Sequence, residues 1–147
     1  MFTRIVVGTD GSETAGQAVS QAAELAKLSG AKLDIVSAYE PVSSKRTGGE
    51  QLDAPADVQY QIGPREDVNL VLESAAAAAK SEGLEVQTHA VAADPAEAII
   101  SVAEETDADL IVVGNKGMSG ARRFLLGSVP NKVSHHAPCS VIIVRTT

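Results

Sequence analysis

The stretch RIVVGTDGS, residues 4–12, decides the fold of this chain. After Arg4 it is apolar without alternation, which is typical of a strand covered on both faces. It then turns through glycine and polar residues, and apolar residues recur over residues 15–26 at the spacing of one helix face. Ser12 or Thr14 is placed to cap this helix, and Gly30 is placed to end it. The stretch therefore predicts a buried strand, a tight turn and a helix.

Further apolar runs alternate with helical segments along the rest of the chain. We expect strands at residues 33–38, 85–91, 109–114 and 140–144, and helices whose inward faces span residues 68–79, 96–103 and 129–133. Asp94 and Pro95 indicate the start of the second of these helices, and Ser128 the cap of the third. Alternation at residues 85–91 predicts an edge or half-exposed strand. The order predicts an α/β fold, a Rossmann-like open five-stranded parallel sheet with helices on both faces and right-handed crossovers.

The segment at residues 40–64 is a long connection rich in proline, glycine and serine, with no sustained period. Loops of this length inside compact domains are usually either functional or mobile, and the sequence leaves both readings open. The 147 residues fit one ordinary domain, so we expect a single domain over residues 1–147.

Composition and charge exclude several classes of partner. The formal charge is −7, with 12 lysine and arginine residues against 19 aspartate and glutamate residues, and the chain holds two tyrosines, two phenylalanines and no tryptophan. An acidic surface with few aromatic residues argues against nucleic-acid binding. No apolar run reaches the roughly 18 residues of a membrane span, and the start does not resemble a signal peptide. With Cys139 as its one cysteine, we expect a cytoplasmic protein with a small-molecule partner.

Two glycine-containing loops follow the first and fourth strands, where open α/β sheets bind ligands. The first is GTDGS at residues 8–12, and the second is GNKG at residues 114–117, with Gly127 and Ser128 opening the last helix. Glycines allow close backbone approach, and a helix start offers N–H groups and a positive dipole end to a phosphate. Lys116, Arg122 and Arg123 add positive charge. These features predict an anion site.

Other phosphate-binding and catalytic patterns are missing from the sequence. It contains no Walker-type P-loop, no G-x-G-x-x-G and no Ser-Gly-Gly-x-Asp-Ser run. The adjacent His135 and His136 lack a third ligand, so we predict no metal site there. We interpret His89 as a surface polar residue and Cys139 as packing, and no serine has a recognisable histidine and acid partner.

The spacing Gly114-x2-Gly117-x9-Gly127-Ser128 resembles the ATP-binding motif of the nucleotide-binding universal stress proteins. The opening IVVGTDGS at residues 5–12 and the ending VPNKV and CSVIIV at residues 129–133 and 139–144 are similar to that family too. The segment at residues 37–39 and the tail resemble actinobacterial members that favour cAMP. The resemblance covers essentially the whole chain.

The resemblance implies a sheet of order 3-2-1-4-5 with the nucleotide between the ends of the first and fourth strands. The residues it assigns to the base and ribose are Thr9, Asp10, Ala38 and Val113, and those it assigns to the ribose and phosphates are Gly114, Lys116, Gly117, Gly127, Ser128, Val129 and Asn131. The ligand would be ATP, cAMP or AMP, with magnesium accompanying ATP. The resemblance also implies a homodimer through the last strand, residues 141–144. Pro130 departs from the family pattern and would remove one phosphate contact.

Three functions stay open from the sequence. The first is a regulatory protein that senses or sequesters ATP or cAMP in the stress response. The second is a slow ATPase or phosphotransferase, for which Asp10 is the candidate carboxylate. The third is a dimeric interaction module with a vestigial nucleotide site, acting through the long loop at residues 40–64.

Overall fold

The computed structural model describes residues 1–40, 63–115 and 126–146, with the backbone alone at residues 63–65. Most of the long connection predicted at residues 40–64, and the predicted site residues Lys116 and Gly117, lie outside the described residues. So do Arg122 and Arg123.

Strands and helices alternate along the described chain. The elements are β1 (Arg4–Gly8), α1 (Glu13–Ser29), β2 (Lys32–Tyr39), α2 (Gly63–Lys80), β3 (Val86–Ala92), α3 (Pro95–Thr106), β4 (Leu110–Gly114), α4 (Ser128–His136) and β5 (Ser140–Val144). The five strands form one sheet of order β3-β2-β1-β4-β5, and every neighbouring pair is parallel. The predicted α/β class, strand order and parallel pairing are confirmed.

The sheet is covered on both faces, as the unalternated strands predict. Ile5 and Val7 of β1 pack into a core layer that α1 and α2 share, while Val6 between them packs into a second layer with α3 and α4. Both faces of β4 are buried in the same way. The strand β3 lies at one edge of the sheet and is partly exposed, so its prediction as an edge or half-exposed strand is confirmed.

Local capping chemistry fixes the ends of α1 and α3. The Ser12 hydroxyl accepts the Ala15 N–H at 3.1 Å, and Gly30 ends α1 in the left-handed region with φ of 74°. Asp94 accepts the Glu97 N–H at 3.2 Å, and Pro95 is the first residue of α3. These helix boundaries are confirmed.

The predicted cap of the last helix is wrong by one residue. Gly127 takes the N-cap position with extended backbone (φ −67°, ψ 167°) and has no side chain to offer, so Ser128 is the first helical residue. A residue inside the first turn has helical dihedrals, and the capping hydrogen bond belongs to the residue before it. Ser128 therefore begins α4 without capping it.

A buried ionic cluster links the amino-terminal halves of three strands. Asp34 of β2 is fully buried and lies opposite Val6 of β1 and Gln87 of β3. Arg4 Nε donates to Asp34 Oδ2 at 2.8 Å, and His89 Nε2 lies 2.8 Å from Asp34 Oδ1. The interpretation of His89 as a surface polar residue is therefore wrong, because its ring is only 23% exposed and contacts a buried carboxylate on the neighbouring strand.

No helix among the described residues is long and apolar enough to cross a membrane.

Candidate functional site

A pocket opens where the order of the strands reverses. β1 and β4 are sequence-distant but adjacent and parallel, with Val7 opposite Val112, so Gly8 and Gly114 end at the same edge of the sheet. The chain leaves β1 towards β2 on one side and reaches β5 from β4 on the other, which opens a crevice between the two loops. This crevice is the candidate site.

The pocket brings together residues from six elements and one loop. Of the predicted site residues, those that line it are Thr9, Asp10, Ala38, Val113, Gly114 and Val129. Gly127, Ser128 and Asn131 lie at the start of α4 beside it, outside the lining. Lys116 and Gly117 are outside the described residues. That any of these residues contacts a nucleotide stays a prediction.

Sequence reasoning missed part of the lining. The residues it did not name as individual contacts are Gly8 and Ser12, which belong to the predicted first loop, and Thr14, Ala15, Val36, Ser37, Pro95, Ile99 and Pro130. Pro95 and Ile99 come from α3, which starts right after β3 and therefore at the ligand edge of the sheet. The Asp94-Pro95 helix start was the available signal, because a helix that follows a parallel strand begins at the carboxyl end of that strand.

The base of the pocket is apolar and tightly packed. Val113 and Val36 come from the sheet, and Ile99 of α3 lies across them. A Cβ added at Gly8 would come within 2.5 Å of Ile99 Cδ1, so glycine at this position allows α3 to approach the end of β1. An apolar crevice between a sheet and a helix suits a flat, weakly polar ring.

The loop after β1 is fixed by its own hydrogen bonds. Thr9 N–H donates to the Val36 carbonyl at 2.9 Å, and the buried Ser37 hydroxyl donates to the Thr9 carbonyl at 2.8 Å. Asp10 Oδ1 accepts the Ser12 N–H at 2.9 Å, and Gly11 takes a positive φ of 86° that completes the turn. The bond through Oδ1 thus fixes the Asp10 carboxylate at the pocket, and this bond does not involve its other oxygen, Oδ2.

The start of α4 borders the pocket, because Val129 and Pro130 are part of its lining. Asn131 N–H donates to the Gly127 carbonyl at 3.1 Å, so the N–H groups of Ser128 and Val129 precede the first intrahelical bond. Pro130, third in the helix, has no N–H. The helix start therefore has two main-chain N–H groups without an intrahelical acceptor at its positive dipole end.

The described residues contain no group of three histidine, cysteine, aspartate or glutamate side chains that could hold a metal ion. His135 and His136 have ring centroids 6.4 Å apart, and the His135 ring lies 2.9 Å from the Asn131 carbonyl of its own helix.

Comparison with known proteins matches the chain almost from end to end. The model of the universal stress protein family matches residues 1–145. A universal stress protein of Mycobacterium tuberculosis is 37% identical over 147 residues, which is 99% of this chain and 98% of the relative.

Two solved structures of universal stress proteins also resemble this chain. One, in complex with cAMP, has a TM-score of 0.73 and 35% identity and covers 99% of this chain and 98% of its own. Another, from Archaeoglobus fulgidus in complex with dAMP, has a TM-score of 0.67 and 26% identity, with 97% and 98% covered.

Proposed function

The chain belongs to the universal stress protein family, and we propose that it binds an adenine nucleotide in the pocket between β1 and β4. The observation that carries this proposal is the juxtaposition of an apolar crevice, lined by Val113, Ile99 and Ala38, with the start of α4, which contributes Val129 to the same lining. The apolar crevice suits a purine ring, and the start of α4 suits a phosphate. The cAMP and dAMP complexes of two related universal stress proteins support the same ligand class.

In this proposal the base enters between the sheet and α3. Ala38 and Val113 contact the ring, and Thr9 and Asp10, held by their loop, contact the base or the ribose. Gly114 allows the ribose to approach the end of β4, and the phosphate lies against the first turn of α4. The residues proposed for the phosphate and its surroundings are Lys116, Gly117, Gly127, Ser128, Val129 and Asn131.

The helix start favours a nucleotide with one phosphate group over ATP. Ser128 and Val129 supply two N–H donors, and Pro130 removes the third that a helix start ordinarily offers. Two main-chain donors match the oxygens of a single phosphate, as in AMP or cAMP. ATP would depend on Lys116 for its outer phosphates and would bring magnesium with it.

We propose that nucleotide binding gives the protein a regulatory role. The chain would act as a single-domain cytoplasmic protein that senses or sequesters the nucleotide in the stress response, as its membership of the universal stress protein family suggests. We also propose a homodimer through β5, whose outer side is unpaired within the described sheet and whose Ile143 is 37% exposed. An apolar strand edge of this kind is available for pairing with a second copy.

Calorimetric titration with AMP, cAMP, ATP and GMP tests the function. We expect the adenine nucleotides to bind and the substitution Ala38→Leu to weaken all of them by about tenfold or more, because a leucine side chain would fill the crevice. Ala77→Leu, the same substitution at an exposed position of α2, is the control and should leave binding unchanged.

Two results would contradict the proposal. If the wild-type protein bound no nucleotide, the pocket would be structural and the interaction-module alternative would take its place. If Ala38→Leu and Ala77→Leu bound equally well, the nucleotide would occupy a different site.

A further inference from the structure

Asn115 is bonded to three separate parts of the chain at the end of β4. Its N–H donates to the Val144 carbonyl at 2.9 Å, and its carbonyl accepts the Gly127 N–H at 3.0 Å. Its side-chain Oδ1 accepts both the N–H of Thr146, at 2.8 Å, and the Thr146 hydroxyl, at 3.1 Å. One residue therefore joins β5, the tail that follows β5 and the N-cap of α4.

The geometry points to a role for these bonds beyond folding: we propose that Asn115 is a positioning residue through which Thr146 of the carboxy-terminal tail sets the affinity of the pocket for phosphate. The proposal rests on the proposed nucleotide function and deepens it.

The N-cap of α4 depends on Asn115 because Gly127 has no side chain to cap the helix. A helix start without a side-chain cap is held by its backbone bonds, and among the described residues the bond from Gly127 to the Asn115 carbonyl ties this helix start to the end of β4. The N–H groups of Ser128 and Val129 follow directly, so their direction depends on where Gly127 is held.

The direction of the Asn115 carbonyl depends in turn on the tail. The Asn115 backbone is fixed by Val144 on one side, and its side chain is fixed by two bonds to Thr146. Loss of the Thr146 bonds frees the side chain and loosens the peptide that accepts from Gly127. Thr146 itself is outside the lining of the pocket formed by the described residues, and its two bonds both go to Asn115, so the proposed effect runs through Asn115.

This arrangement predicts a selective effect on the charged part of the ligand. In the proposed function the base lies against pocket residues of β2, β4 and α3, none of which receives a bond from Thr146, while the phosphate lies against α4. Disturbing Thr146 should therefore weaken AMP and leave adenosine alone. A general loss of structure would weaken both ligands equally.

Binding of AMP and adenosine to tail variants is the test. Thr146→Pro removes both donors to Asn115, and we expect AMP affinity to fall by about five- to tenfold while adenosine affinity stays within about twofold. Thr146→Ser keeps both donors and should bind AMP like the wild type. Asn115→Ala should match Thr146→Pro, and the double variant should be no weaker than either single variant, because both changes remove the same contact.

Hydrogen exchange at the Gly127 amide gives a readout that does not need a ligand. We expect Thr146→Pro to speed exchange at Gly127 with no change at core amides such as Val112, because only the local bond is loosened. Equal losses of AMP and adenosine affinity, additive single effects, or unchanged exchange at Gly127 would overturn the inference. A wild-type protein that bound neither ligand would overturn the proposed function instead, and the exchange at Gly127 would then decide the positioning role alone.

Discussion

At the scale of single residues, Asp34 stands out in the described chain because it is an acidic side chain in the buried core. It is fully buried, and Arg4 and His89 reach it from the strands on either side. Burial acts to raise the pKa of Asp34, but hydrogen bonds from His89 and Arg4 outweigh it and hold the pKa below its ordinary value. The folded protein therefore stabilises the ionised carboxylate.

We expect Asp34→Asn to lower the free energy of unfolding by about 2 kcal/mol at pH 7, because the Arg4 guanidinium loses its charged partner and the buried hydrogen bond with His89 is disturbed. The folded pKa is depressed, so the contribution is complete above the unfolded pKa of about 3.9 and is lost as pH falls through the lower folded pKa. Urea denaturation of both proteins between pH 3 and 7 measures this.

The matched control for Asp34 is the exposed ion pair between Lys27 and Glu82, whose atoms are 3.3 Å apart. Glu82→Gln should change stability by less than about 0.5 kcal/mol, because an exposed pair is well solvated. A stability difference for Asp34→Asn that did not shrink below about pH 4 would contradict the role of ionisation.

At the scale of elements, the short helix α4 carries the chemistry of the proposed site while contributing little to the core. Only Pro130 and Val133 of its nine residues are buried. Its first turn is defined by a glycine N-cap and a proline at the third position, which together limit the helix start to two N–H donors ahead of Asn131. In the proposed site, the helix start would thus limit how many phosphate oxygens its own main chain contacts.

We expect Pro130→Ala to tighten ATP binding by about threefold or more relative to AMP, because it restores a third N–H at the helix start. Calorimetric titration with ATP and with AMP gives the ratio of the two dissociation constants. The exposed Pro138, beyond the end of α4, supplies the control, and Pro138→Ala should leave the ratio unchanged. An unchanged ratio in Pro130→Ala would show that the missing donor does not set the phosphate preference.

At the scale of the whole molecule, the two edges of the sheet differ. β3 has a partly exposed surface of mixed polarity, with Gln87, Thr88 and His89 among its residues. β5 consists of SVIIV, with its apolar residues only half buried. The outer side of β5, unpaired within the described sheet, is the surface that the proposed homodimer would cover.

We expect Ile143→Lys to convert a dimer into a monomer at micromolar concentration, because a charged side chain would be buried at the shared edge. Sedimentation velocity measures the change. Leu28→Lys introduces the same charge at an exposed leucine of α1, far along the chain from β5, and should leave the dimer intact. A monomeric wild-type protein, or a dimeric Ile143→Lys protein, would contradict the proposed interface.

The sequence by itself determined the elements and their order, because the determinants of each are local. The unalternated run after Arg4, the Ser12 and Asp94 caps and the left-handed Gly30 all act within a few residues of the chain. The family's motif adds the strand order and the edge at which the loops meet. Six of the predicted site residues do line the pocket, since loops after adjacent parallel strands must lie side by side.

Only the tertiary structure decided the contacts between residues distant in sequence. The partners of Asp34 are Arg4 and His89, which lie 30 and 55 residues away in the sequence. No pattern in the sequence near Asp34 predicts these contacts. Ile99 enters the pocket because glycine at position 8 lets α3 approach β1, and Asn115 reaches Thr146 because β4 and β5 are neighbours in the sheet. Periodicity and capping report the surroundings of a residue along one element, whereas partners across the sheet exist only once the strands have paired.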